Sequence, residues 1–129
     1  MRVAIVCALA ACGPRAVPAT APDAGWCAHD VVVVPKTCPP KLGLVTHAPP
    51  CTFPTAKVCG TELARGTVYA CRRGDLVEKV EAWAPGWRLV GQCEANRADG
   101  TWTEYESGKP NLERRYTNGE YLGTSRVEQ

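Results

Sequence analysis

The stretch GTWTEYESGKPNLERRYTNGEYLG, Gly100 to Gly123, decides the fold of this chain. It reads as two short aromatic strands broken by glycine turns. A two-residue hairpin turn needs positive φ, which glycine adopts without steric cost, so Ser107-Gly108 and Asn118-Gly119 are hairpin turns. Trp102, Tyr105 and Tyr116 then supply the cross-strand pairs that hold neighbouring strands together. Strict alternation sets Trp102 and Tyr105 on opposite faces of their strand. A bulge near Glu104 would swing them onto one face, and the residues leave both arrangements open.

The pattern has a period. Trp83, Gly86 and Gly100 stand 22 or 23 residues before Tyr105, Gly108 and Gly123, and Cys93 falls where Tyr116 stands one unit later. Aromatics and glycines at fixed places in a fixed period mark a repeat whose units stack because one hairpin cannot bury its own face. With Gly100, Trp102, Tyr105, Gly108, Tyr116, Gly119 and Gly123, the last unit resembles a MORN-type repeat. The variant is the one met in the bacterial repeat family associated with toxin–antitoxin antitoxins. The upstream unit matches weakly, and a third begins at Gly123 with Ser125 where Trp would stand. The resemblance implies an all-β hairpin strip used as a scaffold or protein-binding surface, with no shared catalytic residue.

Upstream, LVEKVEAW (Leu76–Trp83) and WRLVGQC (Trp87–Cys93) flank Pro85-Gly86 and read as a hairpin. An amphipathic helix over 76–83 is the alternative, although eight residues are marginal for one. GTVYACRRG from Gly66 is a strand with Val68 and Ala70 on one face and Tyr69 and Cys71 on the other. VVVVP, Val31 to Pro35, is a β-branched run ended by proline, hence a short strand. CPPKLG and HAPPCTFP are loops. The expected fold class is therefore mostly β. A disulfide-stapled irregular part over 26–73 precedes an antiparallel β-hairpin repeat strip over 74–129. The stapled part caps the first hairpin, and the far edge stays open, blunted by Glu120, Arg126 and Glu128.

The N-terminus reads as an address. MRVAIVCALAACGPR opens with Arg2, continues through an apolar run from Val3 to Leu9, and reaches small residues. That order marks a secretory signal, and the run falls well short of the roughly 20 apolar residues of a membrane span. Leu9-Ala10-Ala11-Cys12 resembles the lipobox of bacterial lipoproteins. The resemblance implies removal of residues 1–11, lipid on Cys12, and attachment to the membrane through that anchor. Gly13, in place of the Asp that retains such proteins at the inner membrane, points to the outer membrane, facing the periplasm. The competing reading is an N-terminal strand with an incidental cysteine. Residues 13–25, rich in Pro, Ala and Gly, cannot bury enough surface to order themselves, so 12–25 is expected to be a flexible tether behind the lipidated Cys12.

Cys7 leaves with the signal and Cys12 takes the lipid. Cys27, Cys38, Cys51, Cys59, Cys71 and Cys93 remain of the eight cysteines. An even number in an exported domain reads as a disulfide framework whose pairing the sequence does not fix. Cys71 with Cys93 is the preferred bridge, since both fall in strands expected to be neighbours. Cys93 is also the residue expected to tie the stapled part to the strip. Paired ligands two to four residues apart, usual for zinc, do not occur. His29 and His47 are read as loop residues, and no metal or cofactor is expected.

A net charge of +2 with intermixed signs lacks the basic footprint of a nucleic-acid binder. No nucleophile-elbow serine or phosphate-binding glycine loop is present. Glu104, Glu106 and Glu113 could imitate a carboxylate pair, but they are read as a solvated face balanced by Arg114 and Arg115. The expectation is a non-enzymatic envelope lipoprotein that presents its hairpin surface to a protein or glycan partner. Trp83, Trp87, Trp102, Tyr105 and Tyr116 are the candidate contacts, because Trp and Tyr are enriched at binding hot spots; the competing reading makes them the core of the sheet. The alternative function, drawn from the repeat resemblance, is an antitoxin or immunity protein that binds and blocks a toxin.

Overall fold

A computed structural model describes residues 20–40, 43–44, 46–47, 51 and 58–128. The signal 1–11, the lipid-bearing Cys12 and the tether up to residue 19 lie outside the described residues, as do parts of the two proline-rich loops. The fold is mostly β: a single seven-stranded antiparallel sheet in which every strand pairs with its neighbour in sequence. The strands are β1 (Asp30–Val33), β2 (Thr67–Arg73), β3 (Leu76–Ala84), β4 (Trp87–Glu94), β5 (Arg97–Glu106), β6 (Lys109–Thr117) and β7 (Glu120–Arg126). Among the described residues a short 3-10 helix, Glu62–Arg65, precedes β2, with Thr61 as its N-cap. The strip expected after residue 74 is continuous with β1 and β2, which come from the cysteine-rich region.

Local chemistry sets the turns. Ser107 and Gly108 have φ of 53° and 83°, Asn118 and Gly119 of 53° and 87°. Both central residues in the left-handed region define the primed turn that matches strand twist. A turn not foreseen from the sequence, Ala95-Asn96, has φ of 53° and 63°. Asn96 holds it in place. Its Oδ1 accepts from the Val77 N–H at 2.8 Å and its Nδ2 donates to the Asp75 carbonyl at 3.1 Å. Turns thus dock on the turns one unit away. Ser107 N–H donates to the Gly86 carbonyl at 2.9 Å, and Gly119 N–H to the Ala98 carbonyl at 2.8 Å. Leu76–Ala84 is strand, not helix: paired on both sides, it buries Val80 and Ala82 on one face.

The two faces of the sheet carry different covers. Val68, Ala70, Val80, Ala82, Leu89, Trp102 and Tyr116 form one buried cluster with Val34, Cys51, Val58 and Leu63 from the irregular segment. This is the inner face. Trp102 lies fully buried over Gly91, where an added Cβ would come 1.9 Å from the indole. A mid-strand glycine therefore makes the space the largest core side chain occupies. The opposite, outer face carries Tyr69, Lys79, Glu81, Trp83, Arg88 and Tyr105. Trp102 and Tyr105 do stand on opposite faces. The register shift between Glu104 and Tyr105 occurs in the pairing with β6 and does not bring them together.

The disulfides are Cys27–Cys71, Cys38–Cys59 and Cys51–Cys93. The expected Cys71–Cys93 bridge is not formed. Cys71 is on β2 and Cys93 on β4, and β3 lies between them. Two strand spacings of about 4.8 Å exceed the roughly 7 Å Cα separation a disulfide can span. Instead Cys51–Cys93 ties the irregular segment to β4, and Cys27–Cys71 straps the N-terminal residues onto the outer face. Residues 20–25, expected to belong to a free tether, consequently lie along the sheet: Tyr69 Oη donates to the Thr20 carbonyl at 3.4 Å, and Pro22 and Asp23 sit beside Trp83.

Candidate functional site

The five aromatic candidates divide between the faces. Trp102, Tyr116 and Trp87 are core residues, 0%, 2% and 4% exposed. They are corrected from contacts to framework, because the irregular segment covers the face on which they stand. Tyr116 packs edge-on against Trp102 with ring centroids 5.8 Å apart. Its hydroxyl donates to the His47 carbonyl and lies 3.4 Å from Glu62 Oε2. Burial, followed by the Glu62 charge, raises its pKa far above the ordinary value, so the phenol stays protonated. Arg65 stacks on Trp87 at 4.9 Å.

Beneath the irregular segment the inner face also holds a charged network that the sequence reading placed in solvent. Glu104 and Arg114 are 6% and 8% exposed. Arg114 Nη2 donates to Glu104 Oε1 at 2.8 Å, and its Nε lies 3.0 Å from Glu62 Oε2, off the line of a hydrogen bond. His47 Nδ1 is 3.1 Å from the same Glu62 oxygen, and its ring stacks on Tyr121 at 4.4 Å. Arg65 reaches Glu106 at 3.4 Å and Glu104 at 3.8 Å. The carboxylates are thus paired with guanidinium groups rather than left as a free acid–base pair. The network joins the 3-10 helix to β5 and β6, and breaking one side of such a buried pair typically costs about 3–5 kcal/mol. His29 instead lies on the outer side, 3.7 Å from Glu78.

Trp83 and Tyr105 remain on the outer face, and between them stands a residue the sequence reading did not select. Arg88 pairs directly with Trp83 across β3–β4 and with Tyr105 across β4–β5. Its guanidinium carbon lies 4.1 Å from the Tyr105 ring centroid and 5.1 Å from that of Trp83. Cation–π contacts of this kind contribute about 0.5–1 kcal/mol when exposed and more when desolvated. Trp83 Nε1 donates to Glu81 Oε1 at 2.7 Å. Burial raises the Glu81 pKa, against the opposing pull of the Trp83 hydrogen bond and the Arg88 charge. Lys79 stacks on Trp26 at 5.3 Å, extending the aromatic–cation row under the strap.

Two grooves flank this row. One, of about 570 Å³, is walled by Trp83, Ala84, Trp87, Arg88 and Tyr105 and by the turns at Gly86 and Ser107-Gly108. The other, of about 320 Å³, runs between the strap and the sheet, past Asp23, Trp26, Glu81 and Arg88. The first lies in the size range of small-ligand sites. Arg88 had one legible signal. A two-residue turn at Pro85-Gly86 forces Ala84 opposite Trp87, and so Trp83 opposite Arg88. Its second aromatic neighbour depends on a register shift no local signal announces. No protein-family model, curated protein or solved structure matches the chain, and its site is read from its own geometry.

Proposed function

We propose that this chain is a non-enzymatic lipoprotein of the bacterial cell envelope, anchored through Cys12 in the outer membrane and facing the periplasm. Its outer sheet face, around Trp83, Arg88 and Tyr105, binds a protein or glycan partner. The supporting observation is that the six cysteines left after the signal and Cys12 fall into three closed pairs. Disulfides persist in exported proteins and are rare in reducing compartments. Support for the binding face is the division of the aromatics. Trp102 and Tyr116 are consumed by packing, whereas Trp83 and Tyr105, together with the largely buried Trp87, border an open groove.

The test of the address is the intact mass of membrane-extracted protein before and after reduction and alkylation. A species beginning at Cys12, carrying lipid, with six thiols appearing only on reduction, is the expected result. A chain beginning at Met1 with free thiols sinks the lipoprotein reading. For the face, a photo-crosslinking residue at position 105 captures the envelope partner, and a paired Trp83→Ala, Tyr105→Ala variant loses it while keeping the native near-ultraviolet dichroism.

A further inference from the structure

We infer that the groove beside Arg88 recognises a carboxylate, and that its occupant is an acidic peptide segment of a protein partner. The inference rests on the outer face being the binding surface. Arg65, Arg73, Arg97, Arg114 and Arg126 each have a side-chain oxygen partner. Arg88, like Arg72 and Arg115, has none among the described residues, but it alone of these three is held between two aromatic rings. Clamping fixes the plane of the guanidinium and leaves its N–H groups unpaired. A planar fork of donors matches a carboxylate in two parallel hydrogen bonds, and pre-orientation removes the entropic cost of arranging it.

Charge complementarity points the same way. Arg88 is the only charged residue among those lining the larger groove. Glu81 is beyond ion-pair contact with Arg88 and already accepts the Trp83 N–H. It lines the other groove, together with Asp23. An anion entering between the turns at Gly86 and Ser107-Gly108 therefore meets one cation that no carboxylate hydrogen-bonds, its charge felt by Glu81 only from the neighbouring groove. The rest of the lining favours a peptide over a sugar. Trp83 and Tyr105 each have a ring face taken by the guanidinium, which removes stacking surface a pyranose would use. What remains is Ala84, the uncovered parts of the Trp83 and Tyr105 rings, the largely buried Trp87, turn backbone and Ser107. That suits apolar side chains beside a carboxylate better than a ring of hydroxyls that each need a partner.

The experiment titrates the full chain, purified in detergent, with three probes: an acetylated, amidated peptide of alternating Leu and Glu, the same peptide with Gln for Glu, and an oligoglucuronate. Binding is read by tryptophan fluorescence and by the NMR shift of the Arg88 Nε–H. The Glu peptide is expected to shift that resonance and to bind at least tenfold more tightly than the Gln peptide. R88Q should abolish the difference. R88K, which keeps the charge without the fork, should retain only part of it, and both variants should show the native dichroism spectrum. Equal affinity for the Glu and Gln peptides, or a preference unchanged in R88Q, overturns the inference. Tighter binding of oligoglucuronate overturns the peptide assignment. If the crosslinked partner of position 105 is retained undiminished by R88Q, the carboxylate inference fails while the binding face stands; if neither position 105 nor Trp83 captures a partner, the face itself fails.

Discussion

Trp102 and Tyr105 stand three residues apart on β5 and lead opposite lives. Trp102 points to the inner face, fully buried over Gly91, with Tyr116 against its edge and the cysteine-stapled segment above. Tyr105 points to the outer face, where its ring supports a cation and borders a groove. The same contrast runs through the sheet. On the inner face the charges are paired and the aromatics packed; on the outer face a row of aromatics alternates with Lys79, Glu81 and Arg88, and among the described residues only the strap lies across part of it. Identical residue types serve as framework on one side and as surface on the other. What differs is the cover: Val34, Cys51, Val58 and Leu63 close the inner face, and the Cys51–Cys93 bridge ties that cover to β4.

The sharpest way to break this contrast is to truncate both aromatics and compare urea midpoints. Trp102→Ala should cost about 3–5 kcal/mol, the range for a buried aromatic. If Tyr105→Ala costs as much, the outer face is core as well. Next in size is the tie between segment and sheet. Replacing Cys51 and Cys93 together by Ala should lower stability by about 2–4 kcal/mol. It should also expose Trp102 to acrylamide quenching, whereas the Cys27 and Cys71 pair should release the strap and leave Trp102 shielded. Gly91→Ala puts a methyl into the indole and should cost about 1–3 kcal/mol, the usual range for overpacking; a Gly91→Ala, Trp102→Leu double variant should recover part of it, because the clash and the indole go together.

On the outer face the expected stability effects are small. Trp83→Ala and Tyr105→Ala should each cost about 1 kcal/mol or less, the scale of an exposed cation–π contact, while removing partner binding. The smallest effect is a slope with pH. Burial raises the Glu81 pKa above its ordinary value of 4.5, so the folded chain holds that proton to higher pH than the unfolded one. Its contribution is therefore most favourable below the ordinary carboxylate range and declines as pH rises through 4.5 toward the folded value. Glu81→Gln should flatten that decline in urea midpoints measured across mildly acid pH. A slope unchanged by the substitution would mean the outer row is solvated after all.

Much of the strip was legible because its rules are local. Glycine and Asn in the turns, alternation in the strands and proline at the end of the β1 run act over two to four residues, and the sequence shows them directly. The helix alternative over 76–83 disappears for a non-local reason: the segment hydrogen-bonds to strands on both sides. Ala95-Asn96 was hidden because Ala95 has no intrinsic preference for positive φ; the Asn96 side chain fixes the turn from hydrogen bonds to Asp75 and Val77. Glu104 and Arg114 looked solvated because charged residues on a strand usually are, and only the segment folded over them makes them buried.

The sequence by itself determined the class of fold, the meander of hairpins and the even set of cysteines, since each follows from backbone preference or composition. Tertiary structure alone decided which cysteines meet and which aromatics are covered. It also decided the Arg88 sandwich. Gln92 faces Asp99, yet Val90 faces Thr103, so β5 gains two residues opposite Gly91, where Trp102 packs. Without that shift Arg88 would face Thr103 instead of Tyr105. The shift accommodates an indole on the inner face and thereby completes a cation site on the outer one, a coupling carried by packing across the sheet that no local propensity encodes.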